Sequence, residues 1–412
     1  MPRYRCIRSH LCLIALGSLL LSSSSRANYL LFKLFDNTAS SPFSSFTDPV
    51  INNNDQVGIG AVDRIHSGGS YYRYDLATQQ LGYIFSQSGV LTPQMGDNGE
   101  LAWQLDGGGS NTPIRKGSPG NVTLIAQPPV TINGVTLFAL KDFPTINANG
   151  AVAFVGQPNG TRFVGILKES NGTTSTIFDT DNGPGASDGS FFQFSPDVND
   201  NNQVAYMGNA DAGGQGLWLW SKTGNTTDLL DSGPSGTFVY GPSINEAGKV
   251  AYTRSGNTIY VAQKGLSPQL RVSASDVGKA SVAGVTINNH DQIAFEANDG
   301  FGGITLYVQN TSGSLPVRVA GAGDSFDGST IQTIVFDRGA FNDNGELVFE
   351  AFLKNGQEDM IFATVPEPGC ITACLLGIIA LRRTRARNVR RGVMPAATMA
   401  KRNGGPSKRL PA

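Results

Sequence analysis

One short pattern of apolar and polar positions recurs along the chain. An apolar residue is followed by Asn, two variable positions, then Gly, Asp or Asn, one more variable position, and finally apolar, small and bulky residues. It reads INNNDQVGI at 51–59, MGDNGELAW at 95–103, INANGAVAF at 146–154 and VNDNNQVAY at 198–206. It continues as INEAGKVAY at 244–252, INNHDQIAF at 287–295 and FNDNGELVF at 341–349. The second position falls at 52, 96, 147, 199, 245, 288 and 342. The steps average about 48 residues, a length suited to a four-stranded propeller blade.

Each position has a physical reason. The fifth is Asp55, Gly99, Gly150, Asn202, Gly248, Asp291 or Gly345, the three residue types that best tolerate positive φ. The second is Asn except at Gly96, and an Asn side chain can close a turn onto its own backbone. The pattern therefore predicts a tight turn that runs into a strand. In that strand Val152 and Phe154 point one way and Ala153 the other, all apolar, so both faces are predicted to be buried. A Gly or Ala at the eighth position, with Val348 as the exception, lets a neighbouring sheet come close.

The stretches between motifs supply further strands. GLWLWSKTG (216–224), TTDLLDSGP (226–234) and TFVYGPSIN (237–245) follow the fourth motif. ITLYVQNTSG (304–313), LPVRVAGAGD (315–324) and IQTIVF (331–336) follow the sixth. Gly, Asn, Asp and Pro separate them, giving about four short strands per unit. After the seventh motif only DMIFATV (359–365) remains, while 29–54 resembles the segment leading into the fourth motif, 174–202. The expected architecture is an all-β, seven-bladed propeller whose last blade combines strands from both ends of 28–365.

Composition supports this reading. Gly makes up 51 of 412 residues and charged residues 15%, too few charges for a helical bundle or coiled coil. The formal net charge of −1 conceals an asymmetry: 1–27 and 366–412 are basic, and 28–365 carries a net charge of −14. Such a body repels phosphate backbones, which excludes nucleic acid as an expected partner, and it repels anionic polymers unless divalent cations bridge them. Cys6, Cys12, Cys370 and Cys374 all lie in the two ends, so the body is built without disulfides or thiol chemistry.

Both ends read as addresses. Arg3, Arg5 and Arg8 precede an apolar run, 11–21, and a small-x-small pattern, Ser25-Arg26-Ala27. This is a secretory signal peptide with cleavage expected between Ala27 and Asn28, which implies the Sec translocon and signal peptidase as partners. At the other end Val365-Pro366-Glu367-Pro368 leads into an apolar run, 369–381, and then Arg382, Arg383, Arg385 and Arg387. As a helix that run spans about 20 Å, short of the roughly 30 Å hydrocarbon core, so only transient membrane insertion is expected. The arginines hold the C-terminal side in the cytoplasm.

This order resembles the PEP-CTERM sorting signal of bacterial exported proteins, and the motifs resemble the NxxGxxAF tandem repeats of secreted, anchor-bearing bacterial proteins. The first resemblance implies an exosortase-type protease acting at Val365, Pro366, Glu367 and Pro368 with Arg382 and Arg383 behind them. It also implies an exopolysaccharide or biofilm-matrix setting at the cell surface. The chain departs from the pattern by continuing past the arginines. The resulting division is leader 1–27, propeller 28–365, sorting segment 366–391 and a basic tail, 392–412, predicted to be disordered.

Catalytic chemistry is sparse. His66 sits in a Gly/Ser-rich loop and His290 in a variable turn position, which offers no zinc set or His-based triad. GASDG at 185–189 matches a nucleophile-elbow string, but no helical pattern follows it. Asp179 and Asp181 begin an acidic loop of the calcium type without its later Glu, and are the weak metal candidates. Glu296, Glu350 and Asp299 form a carboxylate pair only if loops bring them together. No cofactor is expected, with calcium the one possibility. The leading expectation is a non-catalytic extracellular propeller that binds or builds matrix polysaccharide. The alternative is a carbohydrate-active hydrolase or lyase.

Overall fold

The computed structural model describes residues 29–365, apart from 67, 88, 90, 105–111, 142–143, 161, 182–195, 211–213, 235 and 239. The expected cleavage site at Ala27 and Asn28, the string at 185–189, and the sorting residues Pro366, Glu367, Pro368, Arg382 and Arg383 lie outside the described residues. So does the short apolar run. Among the described residues no helix is long and apolar enough to cross a membrane.

The body is a seven-bladed β-propeller. Blade 1 is formed by Phe43–Phe46 and Val50–Ile51, both paired to Gln56–Asp63, then Gly69–Asp75 and Gln80–Gln87. Blade 2 runs outward from Gln94–Met95 through Leu101–Gln104 and Ile114–Ser118 to Asn121–Ala126. A hairpin, Val130–Ile132 with Val135–Leu137, precedes blade 3, whose main strands are Val152–Gln157, Val164–Lys168 and Thr174–Asp179. Blades 4, 5 and 6 repeat the antiparallel order, beginning at Asp197–Val198, Ser243–Ile244 and Ser281–Ile287. Blade 7 orders Ser329–Val335, Leu347–Leu353, Glu358–Thr364 and, outermost, Leu30–Asp36.

The closing pairing is the one the phase of the repeats predicts. Leu30 lies opposite Thr364, Phe32 opposite Phe362 and Asp36 opposite Asp359, antiparallel. Leu31, Phe32, Leu34 and Phe35 pack onto the core of blades 7 and 1. The N-terminal strand thus holds the C-terminal strand from outside and shuts the ring.

Each motif is the innermost turn of a blade. All seven fifth-position residues adopt positive φ, from 54° at Asn202 to 76° at Gly99. Burial on both faces of the strand also holds. Val152 and Phe154 pack with Ala102 and Ile114 of blade 2, while Ala153 and Val155 pack with Tyr206 and Trp218 of blade 4.

The second-position asparagines do more than close turns. Asn245 Oδ1 accepts the Ala247 and Lys249 N–H groups, as expected. Its Nδ2 crosses to the next blade and donates to the Asn288 carbonyl at 3.1 Å. The same bridge runs from Asn52 to Gly96, Asn147 to Asn199, Asn199 to Asn245, Asn288 to Asn342, and Asn342 back to Asn52, at 2.9–3.2 Å. The circle is interrupted only at Gly96, which has no side chain to offer. A Cβ there would lie 2.4 Å from the Asn147 carbonyl oxygen, so blades 2 and 3 meet by close backbone approach instead.

The third motif position forms a second circle. Its side chains accept the backbone N–H of the preceding blade: Asp97 from Asn53, Asp200 from Ala148, Glu246 from Asp200, Asn289 from Glu246, Asp343 from Asn289 and Asn53 from Asp343.

Candidate functional site

The motif turns fill one end of the ring. At the other end a cavity of about 700 Å³ opens where the innermost strands begin and the second strands finish. Residues three places before a motif reach its wall from five blades: Asp48, Thr92, Gly241, Gly284 and Arg338. The residue directly after the motif's bulky ninth position supplies two more, Glu296 in blade 6 and Glu350 in blade 7.

Five carboxyl groups line this space: Asp48, Glu296, Asp337, Glu350 and Glu358. The strand register explains the closest pair. Glu350 lies opposite Met360 and Phe352 opposite Glu358, which puts Glu350 and Glu358 on one face as diagonal neighbours. Four of the five carboxyls accept hydrogen bonds from the frame. Asp48 takes the Thr92 hydroxyl at 3.0 Å, Glu296 the Phe336 N–H at 2.8 Å, Glu358 the Phe46 N–H at 2.5 Å and Asp337 the Arg338 N–H at 2.6 Å. A bulge after Ala283 carries Gly284 at φ 53°, and a Cβ there would press within 3.4 Å of Glu296 Oε2 and 3.2 Å of the Phe336 carbonyl. Bulges of this kind re-aim neighbouring side chains.

Burial dominates the electrostatics. It pushes Asp48 up to about 6, helped by Asp337, and Glu296 up to about 8, helped by Asp48 and Asp337. Burial raises both Glu350 and the adjacent Glu358, and their closeness favours one proton shared between them. The wall's cation is Arg338, whose guanidinium crosses the axis. Nη1 donates to the Pro242 carbonyl at 3.0 Å, and Nε lies 3.9 Å from Asp197 Oδ1 in blade 4. Phe46, Phe352 and Tyr240 supply aromatic surface, and Tyr240 holds φ at 73°, costly for a bulky side chain.

Glu350→Gln removes the carboxyl held protonated against its ordinary value. A carboxyl with a raised folded-state pKa gives stability that is complete below its unfolded value, near 4.3, and is lost as pH rises towards the folded value. The wild-type melting temperature is therefore expected to fall between about pH 5 and 8. E350Q flattens that fall and melts at least about 2 °C higher at pH 8. A variant with the wild-type slope and a lower melting temperature shows that Glu350 does not carry the charge strain.

The structure brings together Glu296 and Glu350, two members of the sequence-derived carboxylate set, and separates the third. Asp299 is a half-buried loop residue whose carboxylate accepts the Phe301 and Gly303 N–H groups. Asp179 and Asp181 face a cation of the chain itself. Asp179 gives both oxygens to Arg162, at 2.9 and 2.5 Å, and Asp181 stands 3.5 Å from the same guanidinium, which provides the positive charge a cation would. Among the described residues no group of three or more His, Cys, Asp or Glu side chains could hold a metal ion. His290 is an exposed turn residue whose N–H donates to Asn288. His66 is stacked on Tyr83, and its Nδ1 lies 3.0 Å from Asp63, whose carboxylate also takes the Tyr72 hydroxyl. Asp48, Asp337, Arg338 and Glu358 escape a motif search because they lie outside the nine-residue pattern. Asp48 and Arg338 stand three residues upstream of their motifs, at equivalent positions of two repeats.

Residues 75–253 match a family of unknown function (DUF7453). No curated protein matches the chain. Among solved structures, the β-propeller domain of the Trilobed protease from Pyrococcus furiosus, described as having an open velcro topology, is similar. It has a TM-score of 0.52 and 11% identity over 79% of this chain and 96% of that one. An oligogalacturonate lyase from Vibrio parahaemolyticus gives 0.53 and 13% over 82% and 98%. An oligogalacturonate lyase in complex with manganese gives 0.53 and 14% over 82% and 97%. These likenesses are those of the propeller fold alone, a fold that hosts binding and catalysis alike.

Proposed function

We propose that this chain is an exported binding propeller that holds a polyhydroxylated ligand, an extracellular glycan, in the carboxyl-lined cavity. The cavity carries the reading. Its size is that of a small-molecule or oligosaccharide site, and it combines aromatic surface from Phe46, Phe352 and Tyr240 with converging polar groups. Glu296 and Glu350, kept protonated by burial, donate hydrogen bonds to hydroxyl oxygens, while Asp48, ionised at neutral pH, accepts them. The signal-peptide-like leader and the PEP-CTERM-like segment support a location outside the cell and an exosortase-type cut near Val365–Pro368. Binding of the purified body to a glycan array is the test. A carbohydrate signal that Phe352→Ala and Glu296→Gln each weaken at least tenfold supports the reading. No signal from any glycan or envelope fraction refutes it.

A second reading, a carbohydrate-active hydrolase or lyase, draws on one observation: the cavity holds a carboxyl at about 6, Asp48, and another at about 8, Glu296. An ionised and a protonated carboxyl in one site are the parts of acid–base catalysis. Release of reducing ends or unsaturated products from extracted exopolysaccharide, lost in both Asp48→Asn and Glu296→Gln, would establish it.

A further inference from the structure

We propose that the cavity selects a cationic, amine-bearing glycan over neutral and uronate-containing ones, with Glu350 and Glu358 receiving the ammonium group. This inference rests on the glycan-binding reading and names its ligand class.

The argument begins with a carboxyl the frame does not serve. Glu350 is 4% exposed and lines the cavity. The other four carboxyls each accept a frame hydroxyl or N–H, whereas Glu350 accepts no hydrogen bond from a backbone group, hydroxyl or side-chain N–H of the described residues. Its polar neighbour is another acid, Glu358. A buried carboxyl facing open space with only a second carboxyl beside it lacks a counter-charge, which is a costly arrangement unless a ligand supplies one. Glu358 has the Phe46 N–H on one oxygen and contributes to the same negative field.

Acids far outnumber bases around the cavity. Against Asp48, Glu296, Asp337, Glu350 and Glu358 stands Arg338, already engaged with the Pro242 carbonyl and near Asp197, itself buried. The remaining polar ring on the wall, the Tyr240 phenol, brings no positive charge. A uronate entering this space finds no available cation, and its charge adds to a field already negative enough to hold protons on neighbouring acids. An ammonium meets acceptors on several sides.

The arrangement fits an organic cation rather than a metal ion. The carboxyls come from blades 1, 6 and 7, and no three acids among the described residues stand close enough to share one ion. They are spread over a wall that also carries Phe46, Tyr240 and Phe352, whose ring faces attract both sugar C–H surfaces and ammonium groups. An ammonium that settles beside Glu350 and Glu358 replaces the proton the pair shares, so binding releases a proton to solvent.

The experiment uses the secreted body and three oligosaccharide series of equal length: β-1,4-linked glucosamine, its fully N-acetylated counterpart, and galacturonate. Affinities are measured by calorimetry at pH 6 in two buffers of different ionisation enthalpy. The glucosamine series is expected to bind at least about tenfold more tightly than the acetylated one, with proton release and with weakening at high salt. The galacturonate series is expected not to bind. E350Q and E358Q, first shown by melting to be folded, should each narrow the amine preference at least fivefold. Equal or tighter binding of the acetylated or galacturonate oligomers, or an amine preference that both variants leave intact, overturns the inference while the glycan-binding reading stands. Failure of every series to bind, together with a silent glycan array, removes that reading and this inference with it.

Discussion

Removal of residues 28–38 is expected to lower the melting temperature of the body by at least about 10 °C. The strand Leu30–Asp36 is the outermost member of blade 7 and pairs along its length with Glu358–Thr364. Leu31, Phe32, Leu34 and Phe35 are each partly buried against this core, and each contributes a part of the about 1.5–3 kcal/mol of a fully buried side chain. Phe35 also makes edge contacts with Phe43 and Tyr74, at 5.2 and 5.0 Å, which join blade 7 to blade 1. Without the strand, Glu358–Thr364 becomes an open edge carrying Ile361 and Phe362, and such edges pair with other chains. Loss of stability should therefore come with concentration-dependent association, read by calorimetry and light scattering. A truncated body that melts within about 3 °C of the intact one and stays monomeric shows that the ring does not depend on this closure.

The second large effect concerns the circle of asparagines. Asn245→Ala should destabilise the body by about 3 kcal/mol, since a net hydrogen bond is worth about 1 kcal/mol and an unserved buried partner costs more. Asn245 is 3% exposed and its amide makes four contacts: Ala247 N–H and Lys249 N–H inward, the Asn288 carbonyl and Asp291 outward. Asn245→Asp separates the two roles. It keeps the acceptor for the turn but sets a carboxylate against the Asn288 carbonyl, so it should be destabilising by at least half as much as alanine. Gly96→Asn, which makes the repeat regular, should also lower stability, because its Cβ would meet the Asn147 carbonyl at 2.4 Å. Denaturant melts of the three variants decide the matter. If Asn245→Asp equals wild type, the bridge between blades contributes nothing.

Much of the architecture is written in local chemistry. Asp55, Asn202 and Asp291 stand with four glycines at the one turn position that needs positive φ, and residue type alone marks that need. Alternation in Val152, Ala153 and Phe154 reports two buried faces because side chains of a strand alternate, whatever surrounds it. The phase of the repeats leaves one blade short at the C-terminus and one set of strands in excess at the N-terminus, so the pairing of Leu30–Asp36 with Glu358–Thr364 is already implied. These features depend on neighbours in sequence, or on a count of repeats, and both are visible in a linear string.

The site depends on neither. Asn245 shows its turn-closing oxygen to a sequence reader, but the reach of its Nδ2 to Asn288 exists only after two blades are set side by side. Glu350 and Glu358 meet through a hairpin register, and Asp48 joins Glu296 and Glu350 only because the ring brings blade 1 round to blades 6 and 7. Asp299, three residues from Glu296, is turned instead into its own loop, while Arg338 finds Pro242 and Asp197 across the axis. The sequence by itself determined the repeat, the turns, the strands and the closure. Only the tertiary structure decided which acids face one another, because their proximity is set by the curvature of a closed ring and not by separation along the chain.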